Sequence, residues 1–169
     1  IDMIRDAVPS KVEPEGKDVL SLSEAMYVRE LSYSLKALAR TMPVAQDGMS
    51  DGELFSKVFA CHNADGGFAW FEGMNSSPVI TAVLLERFAK MVAGGYLDGT
   101  ASVASDAASC ADVNAVLSSA VRYLDKNQFA SAGCPFWCGG ISDEQYMYVR
   151  SMFPSVPFNV KLPAGKDVQ

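Results

Sequence analysis

Basic side chains and histidine are scarce in this sequence. Its 169 residues include 14 lysines and arginines against 20 aspartates and glutamates, with one histidine, for a formal net charge of -6 at pH 7. A negative field repels phosphate backbones and anionic lipid surfaces. We therefore expect no nucleic-acid partner.

Long hydrophobic runs are absent as well. Although 49% of the residues are hydrophobic, no uninterrupted apolar stretch approaches the ~20 residues that a membrane-spanning helix needs. We expect no direct membrane insertion. A chain of this length fits one domain and can bury roughly two thirds of its unfolded surface, which is enough for a substantial core.

The cysteines Cys61, Cys110, Cys134 and Cys138 are too few and too scattered for a disulfide scaffold. Cys134 and Cys138 stand four residues apart, so they are either a disulfide in an oxidising compartment or two small apolar side chains. The scarcity of histidine limits nucleophilic catalysis, because no serine-histidine or cysteine-histidine pair forms without His62.

What the sequence does contain is helical periodicity, and no stretch alternates convincingly with period two. Apolar residues at three- and four-residue steps predict five helices. They cover residues 21–41, 50–62, 77–93, 112–128 and 142–153. The alanine-, serine- and glycine-rich residues 96–111 are expected to form a surface connection.

Capping residues mark the predicted helix starts. A serine followed three residues later by Glu or Gln allows each side chain to satisfy the other's free backbone amide. These pairs are Ser21 with Glu24, Ser50 with Glu53, and Ser142 with Gln145. The third helix instead begins Ser77-Pro78, where proline at the first helical position loses no hydrogen bond.

The pattern predicts one α-helical domain over residues 1–153 and an extended tail or linker over residues 154–169. Pro154, Pro157 and Pro163 prevent a further helix of any length in that tail. Helices joined by short turns favour an all-α fold with alternating inner and outer helices. We predict an α/α toroid, or part of one, built from about five antiparallel helices.

The most informative stretch is the run over residues 65–71, a turn that combines glycines with aromatic side chains. Adjacent Gly66 and Gly67 permit a positive φ and a close backbone approach. Phe68, Trp70 and Phe71 are expected to fold back under the helix ends and fill the rim of the core. Asp65 is expected to cap the turn, so these residues form a structural motif. A second turn of this kind occupies residues 133–140.

Residues 65–71, followed by Ser76-Ser77 and the Ile80-Thr81-Ala82 helix, resemble the thioester-containing domain of bacterial alpha-2-macroglobulin-like proteins, particularly those of the Bacteroidetes type. Residues 120–125 and 145–153 look like the next helices of that family. The resemblance covers about residues 50–153, with most detail over 65–88. It implies an α/α toroid or a slice of one.

That family's chemistry depends on a buried thioester between a cysteine and a glutamine three residues later, which opens to acylate a protease or a surface. The residues three positions after Cys61, Cys110, Cys134 and Cys138 are Ala64, Val113, Trp137 and Ile141, so none of these cysteines can form that ring. In the family the motif lies upstream of the turn, and some bacterial members lack it. The resemblance therefore implies no catalytic, cofactor-binding or metal-binding residue here.

The resemblance implies a noncatalytic module of a protease-trapping protein of the bacterial cell envelope, periplasmic or anchored to the outer membrane through the parent protein. Its partners are then the neighbouring domains of the parent chain and, through the parent, target proteases. Because the chain begins at Ile1 without an initiator Met or a leader, we expect a piece of a longer protein. A homodimer through faces that lack their neighbours is a further expectation.

The alternative is a toroid enzyme that acts on a polysaccharide or an isoprenoid. Glycosidases place an acid and a base around the bond they cleave, and the candidate carboxylates are Asp65, Glu72, Asp143 and Glu144. In the competing interpretation Asp143 and Glu144 complement the dipole of the fifth helix. Convergence of these carboxylates within about 10 Å across a cleft would favour an enzyme.

If the protein were such an enzyme, two kinds of ligand site would be available, one for zinc and one for a sugar. Cys61, His62 and Asp65 include the residue types of a zinc site, as in prenyltransferase toroids, although a histidine at a helix C-terminus is more often a cap. The aromatic side chains near the two turns are able to stack on sugars, although core packing is the commoner role. They are Trp70, Phe71, Phe136 and Trp137.

Overall fold

A computed structural model of the chain describes residues 13–38, 49–93, 113–127 and 140–157, the side chains of residues 30–38 excepted. Five α-helices lie in these ranges: α1 (Val19–Leu38), α2 (Asp51–Phe59), α3 (Pro78–Ala93), α4 (Val113–Asn127) and α5 (Asp143–Ser151). The only β pairing among the described residues is an isolated antiparallel bridge between His62 and Phe68. The predicted all-α class is confirmed.

Two of the predicted capping serines occupy the positions that the sequence assigns to them. At the start of α2 the Ser50 hydroxyl accepts from the Glu53 amide at 3.1 Å, and the Ser50 amide donates to the Glu53 carboxylate at 2.9 Å. At α5 the Ser142 hydroxyl accepts from the Gln145 amide at 3.2 Å. Helix α3 begins at Pro78, as predicted.

The prediction for the start of α1 is wrong. The helix begins at Val19, and its cap is Asp18, whose carboxylate accepts from the Ser21 amide at 3.0 Å and from the Ser21 hydroxyl at 2.7 Å. Burial by itself raises the pKa of Asp18, but hydrogen bonds from Ser21 and from the Asp18 and Leu20 backbone amides together lower the pKa below its ordinary value. Val19, the first residue of the helix, is completely buried.

Helix α3 is the centre of the packing. It contacts α1, α4 and α5, while α2 packs on α1. A helix with neighbours on several sides buries more than one stripe, as α3 does. Its buried residues are Ile80, Thr81, Ala82, Leu84, Leu85, Phe88 and Met91. None of the helices in the described ranges has the length and apolarity required to cross a bilayer.

A buried ion pair joins α4 to α5. The Asp125 carboxylate accepts from Arg150 Nε at 3.1 Å and from the Tyr146 hydroxyl at 2.7 Å. The guanidinium of Arg150 also donates to the carbonyls of Phe153 and Val156. Residues 154–156 therefore turn back onto the core, with Val156 buried. This differs from the extended tail predicted to start at residue 154.

Several sequence predictions fall on residues outside the described ranges. These are the surface connection over residues 96–111, the second turn over residues 133–139 with Phe136 and Trp137, the cysteines Cys110, Cys134 and Cys138, and the tail beyond residue 157.

Candidate functional site

The glycine-aromatic turn follows α2 and is closed by backbone hydrogen bonds. Ala69 N donates to the Cys61 carbonyl, and Asn63 N donates to the Gly67 carbonyl, both at 2.9 Å. Gly66 N donates back to the Asn63 carbonyl at 2.9 Å, and Gly66 has φ +94°. This is a conformation that residues with a Cβ rarely adopt.

Both glycines are also required by close packing, Gly66 against α4 and Gly67 against Ser76 and α4. A Cβ on Gly66 would lie 2.6 Å from the Ser119 hydroxyl oxygen and 2.7 Å from the Ser119 carbonyl oxygen. A Cβ on Gly67 would lie 2.6 Å from the Ser76 Cβ and 2.8 Å from Tyr123 Cε1. The turn therefore docks directly on the helix that contains Ser119 and Tyr123.

The polar side chains of the turn hold it together. Asp65 Oδ1 accepts from the Gly67 amide at 3.0 Å and from the Ser76 hydroxyl at 2.6 Å. The Asn63 side-chain amide donates to the Met74 carbonyl at 2.8 Å and to the Ser76 hydroxyl at 2.9 Å. Asp65 is thus a turn cap whose carboxylate is engaged by hydrogen-bond donors.

Helices α1 and α3 are attached to the same turn. The buried Thr81 hydroxyl accepts from the Phe68 amide at 2.9 Å and donates to the Ser77 carbonyl at 2.8 Å. The Trp70 carbonyl accepts from the Val19 amide at 2.8 Å, which satisfies one of the free amides at the start of α1. The turn is therefore the corner at which α1, α3 and α4 meet after the end of α2.

The aromatic residues of the motif have two different environments. Phe68 is completely buried and packs with Phe59 and Phe88, at ring-centroid distances of 6.2 and 6.3 Å. Trp70 and Phe71, by contrast, are 40% and 46% exposed. The expectation that all three aromatic side chains fill the rim of the core is correct for Phe68 and wrong for Trp70 and Phe71.

His62 lies against the ring of Phe68, at a centroid distance of 5.1 Å. Its Nε2 is buried and has no hydrogen-bond partner among the described residues. Burial lowers the pKa of His62, although a hydrogen bond with the Gly66 backbone and the charge of Asp65 act in the opposite direction. A neutral imidazole is therefore favoured in this position.

Cys61 is a buried free thiol whose Sγ donates to the Lys57 carbonyl at 3.6 Å. Burial raises the pKa of this thiol, and the charges of Glu72 and Asp18 raise it further. These surroundings disfavour the reactive thiolate. Within the described ranges no group of three or more His, Cys, Asp or Glu side chains is arranged to hold a metal ion.

The remaining candidate carboxylates are at the surface. Glu72 is exposed in the loop after the turn, and Asp143 and Glu144 are exposed in the first turn of α5. Hydrogen bonds from the Glu144 backbone amide and from the Ser142 hydroxyl lower the pKa of Glu144. Asp143 and Glu144 occupy the position in which carboxylates complement a helix dipole.

Asp125 and Arg150, which form the buried ion pair between α4 and α5 at 3.1 Å, are not among the candidate residues that the sequence pattern indicated. The position of Arg150 in the sequence does indicate burial, because it stands four residues after Tyr146 and lies on the same helix face. Asp125 likewise follows Val121 by four residues on the apolar face of α4. A charge that is buried on an apolar helix face needs a partner of opposite sign, which Asp125 and Arg150 supply to each other.

Comparisons with protein-family models, with curated proteins and with solved structures find no match for this chain.

Proposed function

We propose that this chain is a noncatalytic structural and interaction module of an alpha-2-macroglobulin-like, protease-trapping protein of the bacterial cell envelope. The observation that carries the proposal is the chemistry of the glycine-aromatic turn. Asp65, Asn63 and Thr81 direct their polar atoms to backbone and side-chain groups of the turn itself. A motif whose polar side chains form hydrogen bonds within the turn serves to position the helices around it.

The proposed architecture is a part of an α/α toroid. An α/α toroid needs a helix that has neighbours on several sides, and it needs tight turns at the helix ends. Helix α3 has neighbours in α1, α4 and α5, and the turn over residues 61–69 supplies one such corner. These features support the toroid proposal, together with the resemblance of residues 65–88 to the thioester-containing domain of that family.

The proposed module acts without a thioester of its own. Cys61 is the one cysteine in the described ranges, and Ala64 stands where the ring would require glutamine. In addition, Cys61 is buried, and this burial raises the pKa of its thiol. The proposed role is therefore to pack against neighbouring domains of a parent chain that meets the protease elsewhere.

A trapping assay on the protein encoded by the complete open reading frame tests this function. A trap encloses the protease and blocks large substrates sterically, so we expect protection of a protein substrate and continued cleavage of a small peptide substrate. Deleting residues 49–157 should abolish the protection. Inhibition of both substrates, or no inhibition of either, would contradict a trap.

Turnover by the isolated chain is the second arm of the test. The chain is incubated with plant and bacterial polysaccharides and with isoprenoid diphosphates, and products are followed by chromatography. We expect none. A product that disappears in both Asp65→Asn and Glu72→Gln variants would establish the enzyme and overturn the proposal.

A further inference from the structure

The loop over residues 70–74, here named the rim loop, has a fixed backbone. Its first carbonyl, on Trp70, accepts from the Val19 amide of α1 at 2.8 Å. Its last carbonyl, on Met74, accepts from the Asn63 side chain at 2.8 Å. Between them the Met74 amide donates to the Phe71 carbonyl at 3.1 Å, and Gly73 adopts φ +83°. The loop is therefore held at both ends and across its middle.

This fixed loop exposes three large apolar side chains to solvent. Trp70 is 40% exposed, Phe71 46% and Met74 51%. Exposed apolar side chains that stand singly are ordinary, but this one loop contains three of the six exposed large hydrophobic side chains of the described ranges, here called the apolar patch. Tryptophan, phenylalanine and methionine are also the residue types that are enriched at protein interfaces. A preformed loop lowers the entropy cost of binding.

The surroundings of the rim loop are acidic. Glu72 belongs to the loop, and its charge and that of Asp18 both reach Cys61 beneath it. Asp65 is exposed in the adjoining turn. Residues 60–77 contain no lysine or arginine. One basic side chain is close, because exposed Lys17 stands two residues before Val19, whose amide donates to the Trp70 carbonyl. The charged residues around the apolar patch are therefore three acids, Asp18, Asp65 and Glu72, against one lysine, and its border is predominantly negative.

We propose that the rim loop is a docking site for a basic, apolar segment of a neighbouring domain of the parent chain, in which leucine-like side chains contact Trp70, Phe71 and Met74 while lysine or arginine faces the acidic border. Charge complementarity selects this occupant over an acidic or a neutral one. The inference rests on the proposed function, because it names the surface through which a noncatalytic module meets its partner.

Binding of a synthetic peptide to the full chain tests the inference. The background variant is Trp137→Phe, so that Trp70 is the only tryptophan. The probes are an 18-residue peptide of leucine and lysine with amphipathic helical spacing, and the same peptide with glutamate in place of lysine. We expect the lysine peptide to shift Trp70 emission to the blue and to bind at least tenfold more tightly than the glutamate peptide. Added salt should weaken this binding.

Two double variants locate the binding surface. Phe71→Ser with Met74→Ser should weaken the lysine peptide at least tenfold. The matched control, Val92→Ser with Met147→Ser, removes two side chains of similar exposure, 41% and 62%, on α3 and α5. It should leave the affinity unchanged. Circular dichroism establishes that both variants keep the helical content of the parent.

Four outcomes would overturn the inference. They are equal binding of both peptides, equal loss of binding in both double variants, binding of a neutral hexasaccharide at Trp70 in place of the peptide, and self-association of the chain that Phe71→Ser abolishes. None of these bears on the trapping assay. A functioning trap with no peptide binding therefore rejects the docking site alone, and peptide binding without trapping rejects the proposed function alone.

Discussion

Gly66 lies so close to Ser119 of α4 that a Cβ at position 66 would stand 2.6 Å from the Ser119 hydroxyl oxygen. The Ser119 carbonyl oxygen is at 2.7 Å from the same point, and a backbone atom in a helix does not move aside easily. The contact makes the conformation of the turn and the position of α4 depend on each other. Adding one methyl group at position 66 therefore tests whether the turn and α4 depend on this contact.

Gly66→Ala should destabilise the protein by about 2–4 kcal/mol. The positive φ contributes about 1–2 kcal/mol of strain, and the displacement of Ser119 adds a comparable amount. Gly73→Ala is the matched control, because Gly73 also has a positive φ but has open space around its Cβ position. It should cost only about 1–2 kcal/mol. Denaturant unfolding measures both, and equal losses would show that the Ser119 contact does not matter.

Thr81→Val should cost about 1–3 kcal/mol, because it leaves the buried Phe68 amide without an acceptor while keeping the side-chain shape. Thr81→Ser keeps the hydroxyl and should cost clearly less. Hydrogen exchange gives a local readout, since the Phe68 amide should lose protection in the valine variant alone. Unchanged protection of that amide would exclude the proposed role of Thr81.

Asp125→Ala should destabilise the protein by about 3–5 kcal/mol, because Arg150 is then left buried without its ion-pair partner. The Tyr146 hydroxyl loses an acceptor at the same time. Glu86→Ala breaks the Glu86–Lys90 pair on the surface of α3 and should cost only about 0.3–0.5 kcal/mol. Thermal or denaturant unfolding compares the two. Similar losses for both variants would contradict a structural role for the buried pair.

Acidification should destabilise the protein through His62. Its pKa is lowered from 6.5 in the folded state by burial, so the unfolded chain binds the proton first as the pH falls. The contribution is fully present above pH 6.5 and is lost as the pH drops from there towards the lower folded pKa. Asp65 is the charged group that faces His62, and it reduces the effect.

Unfolding free energies measured from pH 8 to pH 5 check this prediction, with His62→Gln as the comparison. The variant should lack the decline below pH 6.5. The decline due to Asp18 is separate, because its pKa is lowered from 3.8 and its contribution is lost only at more acidic pH. A wild-type profile that runs parallel to the His62→Gln profile would exclude His62 as the responsible group.

Local patterns were sufficient to predict the five helices and most of their starts. Ser50 with Glu53 forms a capping box because both groups lie within three residues of each other. The start of α1 differs from the predicted one, because the Val19 amide donates to the Trp70 carbonyl, which lies far away in the sequence. The candidate site shows the same division. Gly66 was recognisable from its sequence neighbours, while the exposure of Trp70 and the burial of Phe68 were not distinguishable.

The sequence by itself determined the helical class, the caps at Ser50 and Ser142, the glycine requirement of the turn and the negative charge. The charge follows from composition alone. The helical class, the caps and the glycine requirement depend on spacing along the chain and on local backbone conformation, which neighbouring residues determine. Only the tertiary structure decided that Arg150 meets Asp125 inside the core, that the turn docks on Ser119, and that the rim loop faces solvent. Each of these joins segments distant in sequence, so packing between helices decides which side chains are buried, paired or exposed.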